Sequence, residues 1–196
     1  DVEVTELRDG LPKYTLRESD VNRFMLFLPE HWRRQGTLDT FEPWTLIFLD
    51  VVYINLEAKQ GKRSWLIVYD VATGGLRIRA VKHKYEIATQ WDQVIVEESL
   101  HKRKDVRVTV GADGDGVMSL IKEVSRKRGV AYLPIPPYSY VLNMVEGAVN
   151  YLKVGVASIL LSACTTDGPL TVRDVNAAAE HLCFIHERFV KARVSD

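Results

Sequence analysis

Asp50 lies within the apolar run LIFLDVVYI, whose β-branched and aromatic residues are typical of a strand. An ionised carboxylate among buried apolar neighbours is costly unless a cation, a proton or a hydrogen-bond partner compensates it. The run therefore indicates either a functional acid or a carboxylate on an exposed edge or strand end, and it leaves both interpretations open.

Asp113 and Asp115 lie in GADGDG, directly after the short apolar run VRVTV. Glycines let the backbone turn sharply there, so that carboxylates can project from the edge of a sheet. Asp-Gly pairs also mark ordinary turns, and the closing Glu of a calcium-binding EF-hand loop is missing. In isolation the motif favours a turn over a metal site.

Glu146 falls in the long apolar segment NMVEGAVNYLKVGVASILL, which predicts a helix. Asn150 and Lys153 follow at i+4 and i+7 and therefore share its helical face. The apolar residues between them can pack elsewhere: Val149, Leu152 and Val156. A single glutamate on a helix is usually solvated, so Glu146 gains a functional interpretation only beside other acids.

Two carboxylates from strand ends and one from a nearby helix would suit a pair of Mg²⁺ or Mn²⁺ ions, because carboxylate oxygens are hard ligands. Two such ions, roughly 3.5–4 Å apart, activate the attacking oxygen and stabilise the leaving oxygen in phosphodiester displacement. Asp50, Asp113 and Glu146 are therefore the predicted metal-binding and catalytic set. The residues alone leave Asp115 open as a substitute for Asp113.

The composition suits one compact domain with a short appendage, since the chain has 196 residues, 46% apolar and 27% charged. With 26 basic and 26 acidic residues, nucleic-acid binding cannot rest on a global positive field. The basic segments KRKDVR and SRKRG are more simply explained as solvated surface. No run reaches the roughly 18 apolar residues of a membrane span, and the acidic start lacks signal-peptide features. We therefore expect a soluble intracellular protein.

The cysteines and histidines do not predict a second metal site. Cys164 and Cys183 lie in apolar sequence that predicts helix, so we expect buried free thiols. The five histidines are scattered, and His181 and His186 are five positions apart on a helix, which directs them differently. Neither a disulfide framework nor histidine metal binding is predicted.

The chain divides into two regions. Residues 1–43 are polar and irregular, with one predicted helix through RESDVNRFMLFLPEHWRR, and are interpreted as an arm or linker. Residues 44–196 form the predicted core, which begins with the β-rich runs WTLIFLDVVYINL, SWLIVYD and GLRIRAVKH. Turn-forming segments separate these runs, which predicts an antiparallel meander.

Helices and strands alternate after the meander. KYEIATQWDQVIVEESL and VMSLIKEVSRKR predict helices, and VRVTV and VAYL predict strands. Two further helices are expected over about 141–163 and 171–189, the second capped by Thr171 with Asp174 three positions on. The prediction is an α/β fold in RNase H-like order: a five-stranded mixed sheet, three strands antiparallel and two parallel, flanked by helices.

Over residues 44–189 the chain resembles the catalytic cores of retroviral and retrotransposon integrases, in the RNase H-like superfamily. LIVYDVATGGLRIRAVKHKYEIA is similar to their second and third strands and first helix, and VTVGADGDGVM to their strand ending in Asp-Asn-Gly. GVAYLPIPPY and NMVEGAVNYLK resemble their Pro-Pro-Tyr and Gly-Val-x-Glu segments, and the tail from LLSACTTDGPL onwards resembles copia-type cores.

The resemblance assigns roles by position. Asp50 would be the first acid, Asp113 the second and Glu146 the third, with Mg²⁺ or Mn²⁺ as the cofactor. DNA contacts would come from three residues near the third acid: Lys153, Asn150 and Asn143. Asp70 occupies a family position that is structural, at a hairpin.

The resemblance also implies an activity and partners. The chain would be a metal-dependent polynucleotidyl transferase, a DNA integrase and endonuclease core that processes and joins DNA ends. Its partners would be the DNA ends of the element, target DNA and further copies of the chain in a homodimer or higher oligomer. No membrane partner is expected. We expect it in the nucleus, either as a domain excised from a polyprotein or as a domesticated descendant of such an element.

Three departures from the family pattern keep an alternative open. Met144 replaces a glycine before the third acid, Gly114 replaces the Asn after the second, and Met118 replaces a Phe. Together with zero net charge, they favour a catalytically weak, domesticated domain that acts as a protein-interaction or assembly module. A third hypothesis, an RNase H-type enzyme that cuts RNA in hybrids, shares the metal site.

Overall fold

The β-rich runs form one five-stranded sheet in a computed structural model of the chain, with strand order β5-β4-β3-β6-β7. The described residues are 4–8, 11–14, 42–53, 64–103, 107–113, 118–135, 145–163 and 171–194. Strands β3 (Leu46–Tyr53), β4 (Ser64–Asp70) and β5 (Leu76–Val81) are antiparallel neighbours. Strands β6 (Thr109–Asp113) and β7 (Ala131–Ile135) continue the sheet in parallel from β3. The predicted mixture of antiparallel and parallel pairing is confirmed.

Within the described residues, four α-helices cover the sheet. The helices are α1 (Glu86–Glu97), α2 (Met118–Lys127), α3 (Val145–Ala163) and α4 (Val172–Val194), and a short 3₁₀ helix at Leu100–Lys102 follows α1. Helices α1 and α2 contact each other, as do α3 and α4. Two separate apolar cores result, one on each face of the sheet.

The α1 face confirms the helical spacing expected from the sequence. Ile87, Trp91, Val94 and Ile95 are all buried against odd-numbered residues of β3 such as Ile47 and Leu49. The Trp91 indole also donates a hydrogen bond of 2.8 Å from Nε1 to the buried Ser125 hydroxyl on α2. This bond satisfies both polar groups inside the core and joins the two helices.

The α3 face uses the alternate residues of β3. Leu46, Phe48 and Val52 pack there with apolar side chains of α3 and α4. At Gly155 a Cβ atom would approach Leu182 Cδ1 to 2.7 Å, so the missing side chain allows α3 and α4 to pack closely. Helix α4 begins as predicted, because Asp174 N–H donates to Thr171 Oγ1 and the Thr171 hydroxyl donates to Asp174 Oδ2 at 2.6 Å.

The strand that carries the second acid differs from its prediction. The expected strand VRVTV covers residues 106–110, whereas β6 is Thr109–Asp113, so the first half of GADGDG is strand and not turn. The reason is tertiary: a Cβ at Gly111 would lie 2.7 Å from Phe48 Cε1, so the glycine admits the neighbouring aromatic ring. Asp113 therefore ends a strand that pairs with β3.

The amino-terminal region also differs from its prediction of irregular structure. Val4–Arg8 and Leu11–Tyr14 form an antiparallel pair, β1 and β2, in which Arg8 is the partner of Leu11. The two intervening residues are Asp-Gly, a strong signal for a two-residue hairpin connection. The predicted helix over residues 17–34 lies outside the described residues, and the division at residue 43 stays a prediction.

Cys183 is buried in the α3/α4 core, and burial raises the pKa of its thiol to about 12. This agrees with the predicted buried free thiol, whereas Cys164 lies outside the described residues. A thiol with that pKa stays protonated and unreactive at neutral pH.

Helix α3 is long and apolar enough, by length and composition alone, to cross a membrane over Val145–Ser162, with a mean hydropathy of 1.2. A core helix of a soluble domain passes the same test. In this fold its buried side chains pack on the sheet and on α4: Val145, Val149, Leu152 and Val156.

Candidate metal site

Asp50 lies on the central strand of the sheet, because β3 has β4 on one side and β6 on the other. An edge or strand-end position, the bland alternative for this acid, is therefore wrong. Asp50 is half-buried between the buried side chains of Phe48 and Val52, and Ile67 is its cross-strand partner. One carboxylate oxygen accepts a hydrogen bond of 2.7 Å from the Val51 N–H.

Glu146 lies in the first turn of α3, where the buried Val145 before it anchors the helix over the sheet. Burial raises the pKa of the Glu146 carboxyl, the negative charge of Asp50 raises it further, and the Lys153 ammonium lowers it. The two acids are 96 positions apart in sequence, from 50 to 146, yet each senses the charge of the other. The fold thus brings the first and third predicted acids together.

Asp113 is next to Asp50 along the backbone ladder. In the parallel pairing, Leu46 matches Thr109 and Leu49 matches Ala112, and the following positions are Asp50 and Asp113. On its other side Asp113 pairs with Ile135 of β7, which is buried in the α3/α4 core. The side chain of Asp113 is outside the description, as are Asp115 and Asn143 altogether.

The two remaining predicted DNA-binding residues are exposed on α3. Asn150 lies one turn beyond Glu146, and Lys153 lies one turn further. Lys153 is close enough to Glu146 to lower the pKa of that carboxyl. The outer surface of α3 therefore offers one amide and one ammonium group beside the acids.

Among the side chains that the structure describes, no three His, Cys, Asp or Glu residues form a group that could hold a metal ion. Asp50 and Glu146 supply two members of such a group. Their like charges oppose each other where water is partly excluded, a situation that a divalent cation relieves. Carboxylate oxygens are also the donors that Mg²⁺ and Mn²⁺ prefer, so the residues present fit such an ion.

Asp70 is the last residue of β4, paired with Ile47 and three positions along the ladder from Ile67, the partner of Asp50. It is fully buried, and its carboxylate accepts hydrogen bonds from Trp44 N–H at 2.9 Å and from the Thr73 hydroxyl at 2.5 Å. The Thr73 N–H donates to it as well, at 3.2 Å. Asp70 thus ties the entry of β3 to the β4–β5 turn, in agreement with the structural role expected of it.

Tyr53 was not considered in the sequence interpretation, although it lies three residues after Asp50 in the same strand. Its side chain is 58% exposed, which is unusual for a tyrosine beside a run of buried apolar residues. Strand alternation from Asp50 directs Tyr53 to the α1 face. The signal that could have identified it is an aromatic residue at the polar end of an otherwise buried strand.

No protein-family model matches the chain, and no curated protein sequence matches it. Solved structures do match. A chain of the simian T-cell lymphotropic virus intasome, solved in complex with PP2A regulatory subunit B56 gamma, aligns with a TM-score of 0.53 at 11% identity. That alignment covers 70% of the present chain and 47% of the intasome chain, so the present chain matches less than half of its length.

A second match is the HTLV-2 integrase catalytic core domain in complex with magnesium, in its dimeric form. Its TM-score is 0.48 at 17% identity, and the alignment covers 70% of the present chain and 84% of that domain. The intasome alignment, together with the strand order, decides the architecture. The fold that the present chain shares is the fold of that intasome chain. The predicted five-stranded mixed sheet flanked by helices, in the RNase H-like arrangement, is confirmed.

Proposed function

We propose that this chain is the catalytic core of a DNA integrase of the retrotransposon, copia-like type, which processes and joins DNA ends. The observation that carries the proposal is the pairing of Asp50 with Glu146 across the sheet and α3, with Asp113 at the adjacent position of the parallel ladder. These are the three acids that the resemblance assigned to catalysis.

Asp50, Asp113 and Glu146 would hold Mg²⁺ or Mn²⁺, with Asp115 as the substitute for Asp113. Bound divalent cations would supply activation of the attacking oxygen and charge neutralisation on the leaving oxygen of a phosphodiester. The register supports Asp113 as the ligand, because its β7 partner Ile135 belongs to the core on the side where Glu146 lies. The central strand and the anchored first turn of α3 hold two of the acids on rigid elements.

The exposed face of α3 is the proposed contact for the DNA backbone. Lys153 carries a positive charge close to Glu146, and Asn150 offers an amide between them along the helix. Phosphate oxygens accept hydrogen bonds from ammonium and amide groups, so these side chains would position a strand over the acids. Asn143, which precedes α3 in sequence, is proposed as a third contact.

The proposed partners are element DNA ends, target DNA and further copies of the chain. Val154 and Leu161 are exposed on α3 and Phe184 is exposed on α4, so both helices present apolar surface for a homodimer or higher oligomer. Joining to chromosomal DNA requires a nuclear location. The same exposed residues also favour the alternative of an assembly module with weak catalysis.

Calorimetric titration of Mn²⁺ tests the metal site directly. The intact chain should bind Mn²⁺, and the separate changes Asp50→Asn, Asp113→Asn and Glu146→Gln should each abolish binding. Asp92→Asn is the matched control, because Asp92 is a partly exposed acid whose carboxylate accepts hydrogen bonds from Arg128, the residue that follows α2. Binding that survives all three substitutions would remove the basis of the proposal.

Cleavage and joining of labelled duplex ends in Mn²⁺ or Mg²⁺ then tests the activity. The intact chain should nick near the end of a duplex and join it to a second DNA, and the three acid variants should do neither. A chain that binds Mn²⁺ and short duplexes without cleaving them would support the assembly module. Cleavage restricted to RNA in hybrids would indicate the RNase H-type alternative.

A further inference from the structure

We infer that a second nucleic-acid contact, a base-stacking surface for an unpaired DNA strand end, lies at the carboxyl ends of β3 and β5, on the α1 face of the sheet and across the sheet from Asp50 and Glu146. Five residues define this stacking surface: Tyr53, Lys82, His83, Lys84 and Tyr85. The inference rests on the proposed function for its choice of DNA as the ligand. No residue of this surface belongs to the predicted metal-binding or DNA-binding sets.

The strand register locates the stacking surface relative to the acids. Tyr53 pairs with Ser64 of β4, and Ser64 pairs with Val81, the last residue of β5. Residues 82–85 follow immediately and lead into α1. Because Asp50 precedes Tyr53 by three residues in a strand, about 10 Å separates the two backbone positions. Strand alternation directs Asp50 to the α3 face and Tyr53 to the α1 face, so a DNA strand that contacts both would pass around the end of the sheet.

The side chains of the stacking surface are exposed, and they contact one another. Tyr85 is 68% exposed, and its ring stacks on His83 with centroids 5.2 Å apart and planes inclined by 11°. The Lys84 ammonium lies 5.8 Å from the centre of the Tyr53 ring, within the range of a cation–π contact. Exposed aromatic rings bury little apolar area and so contribute little to the stability of the fold. Their exposure is better explained by binding.

The backbone holds this segment in one shape. Glu86 accepts a hydrogen bond of 2.9 Å from the Lys82 N–H, and Glu86 N–H donates to the His83 carbonyl at 3.0 Å. A preformed segment loses little conformational entropy when a ligand stacks on it. The negative charge of Glu86 is turned towards the backbone N–H, which leaves the lysines to set the charge of the surface.

The charge pattern favours a nucleic acid over a protein or a neutral ligand. Within the described part of the chain, neither the Lys82 nor the Lys84 ammonium makes an ion pair. The neighbouring Arg79 differs, since Glu97 pairs with it. Aromatic faces interleaved with unpaired cations are the pattern that binds single strands, where bases stack and phosphates contact lysines.

Fluorescence anisotropy can measure binding of a labelled duplex with an unpaired overhang of about five nucleotides, near the smallest single-strand site sizes. The titration uses the whole chain in EDTA at low salt, so that no metal contributes. The intact chain should bind the overhang duplex more tightly than a blunt duplex of the same sequence. Equal affinity for the two duplexes, or no binding of either, would overturn the inference.

Tyr85→Ala should weaken binding of the overhang by roughly 5- to 150-fold, the range for loss of one base-stacking contact. Tyr85→Trp should preserve binding, because a larger ring face remains. Lys84→Gln should lower the slope of log affinity against log salt by about 0.7, as expected for one lost phosphate contact with a single strand. Thermal melting of each variant checks that the fold is intact.

Leu120→Ala and Lys122→Gln are the controls, since they alter one exposed apolar residue and one exposed lysine on α2, away from the stacking surface. They should leave overhang binding unchanged. If Tyr85→Ala and its controls bind alike, the stacking surface is wrong even where the Mn²⁺ titration succeeds. If overhang binding depends on Tyr85 but Mn²⁺ does not bind, the metal proposal fails and the stacking surface stands.

Discussion

Asp50 and Asp70 occupy similar sequence, LIFLDVV and LIVYDVA, but the fold surrounds them differently. Asp70 is fully buried and accepts three hydrogen bonds from Trp44 and Thr73. Asp50 is half-buried and has the charged Glu146 as a neighbour. A buried carboxylate with several donors stabilises its surroundings, whereas one beside a second acid creates a demand for a cation. Two acids three positions apart in the register of β3 and β4 therefore differ in role, Asp70 in stability and Asp50 in chemistry.

The largest expected difference between these acids is in metal affinity. Asp50→Asn should weaken Mn²⁺ binding by at least roughly 100-fold, because even residues behind a ligand typically contribute 10–100-fold. Asp70→Asn should leave the affinity of the folded protein unchanged. Calorimetry well below the melting temperature measures both. Equal losses of Mn²⁺ affinity in the two variants would show that Asp50 and Asp70 do not differ in metal binding.

The free energy of unfolding should show the reverse order, with the larger loss for the Asp70 variant. Asp70→Ala leaves the N–H groups of Trp44 and Thr73 without their buried acceptor, and should lower the free energy of unfolding by roughly 2–3 kcal/mol. Asp50→Ala should cost less, roughly 0.5–1.5 kcal/mol, because it removes one hydrogen bond, from the Val51 N–H, at a half-buried position. Urea unfolding in EDTA compares the two variants. A larger loss for Asp50→Ala would show that Asp50 is the structural acid.

Removing one of the two neighbouring charges should stabilise the metal-free fold. Glu146→Gln relieves the repulsion from Asp50 and should raise the free energy of unfolding at pH 7 by an amount on the order of 0.5 kcal/mol. The gain should shrink in an Asp50→Asn background, because the repelling partner is then absent. A gain of the same size in both backgrounds would contradict coupling between these acids.

Asp92, a partly exposed acid with an arginine partner, should also have only a small effect on the free energy of unfolding. Asp92 on α1 accepts hydrogen bonds of 2.6 and 2.7 Å from Arg128, and these bonds hold the pKa of its carboxyl below the ordinary value. Asp92→Asn should cost roughly 0.2–1 kcal/mol at pH 7, as for partly solvated ion pairs.

The pH dependence of that pair follows from the lowered pKa. The contribution of Asp92 is fully present above the unfolded-state pKa of about 3.9 and is lost as the pH falls through the lower folded-state value. The stability difference between wild type and Asp92→Asn should therefore vanish in strong acid. A difference that persists below the folded-state pKa would need a cause other than this ion pair.

Much of the fold follows from local pattern. Ile87, Trp91, Val94 and Ile95 define a buried helical face by spacing alone, and the Thr171 cap marks the start of α4. The β1–β2 hairpin was missed because short polar strands carry weak alternation, even though Asp-Gly marks their connection. The observed β6 begins and ends later in the sequence than the predicted strand. Glycine normally disfavours a strand, but the ring of Phe48 leaves no room for a side chain at Gly111.

The candidate site was predicted as a set of residue types, by resemblance and by the cost of burying Asp50. Composition and spacing of the chain alone determined an amphipathic α/β domain and the acids that could bind a cation. Tertiary structure alone decided that Asp50 lies on the central strand beside Glu146, while the similarly placed Asp70 is a buried hydrogen-bond acceptor. The reason is physical: the demand for a cation depends on which donors and charges surround a carboxylate, and those come from segments far away in sequence.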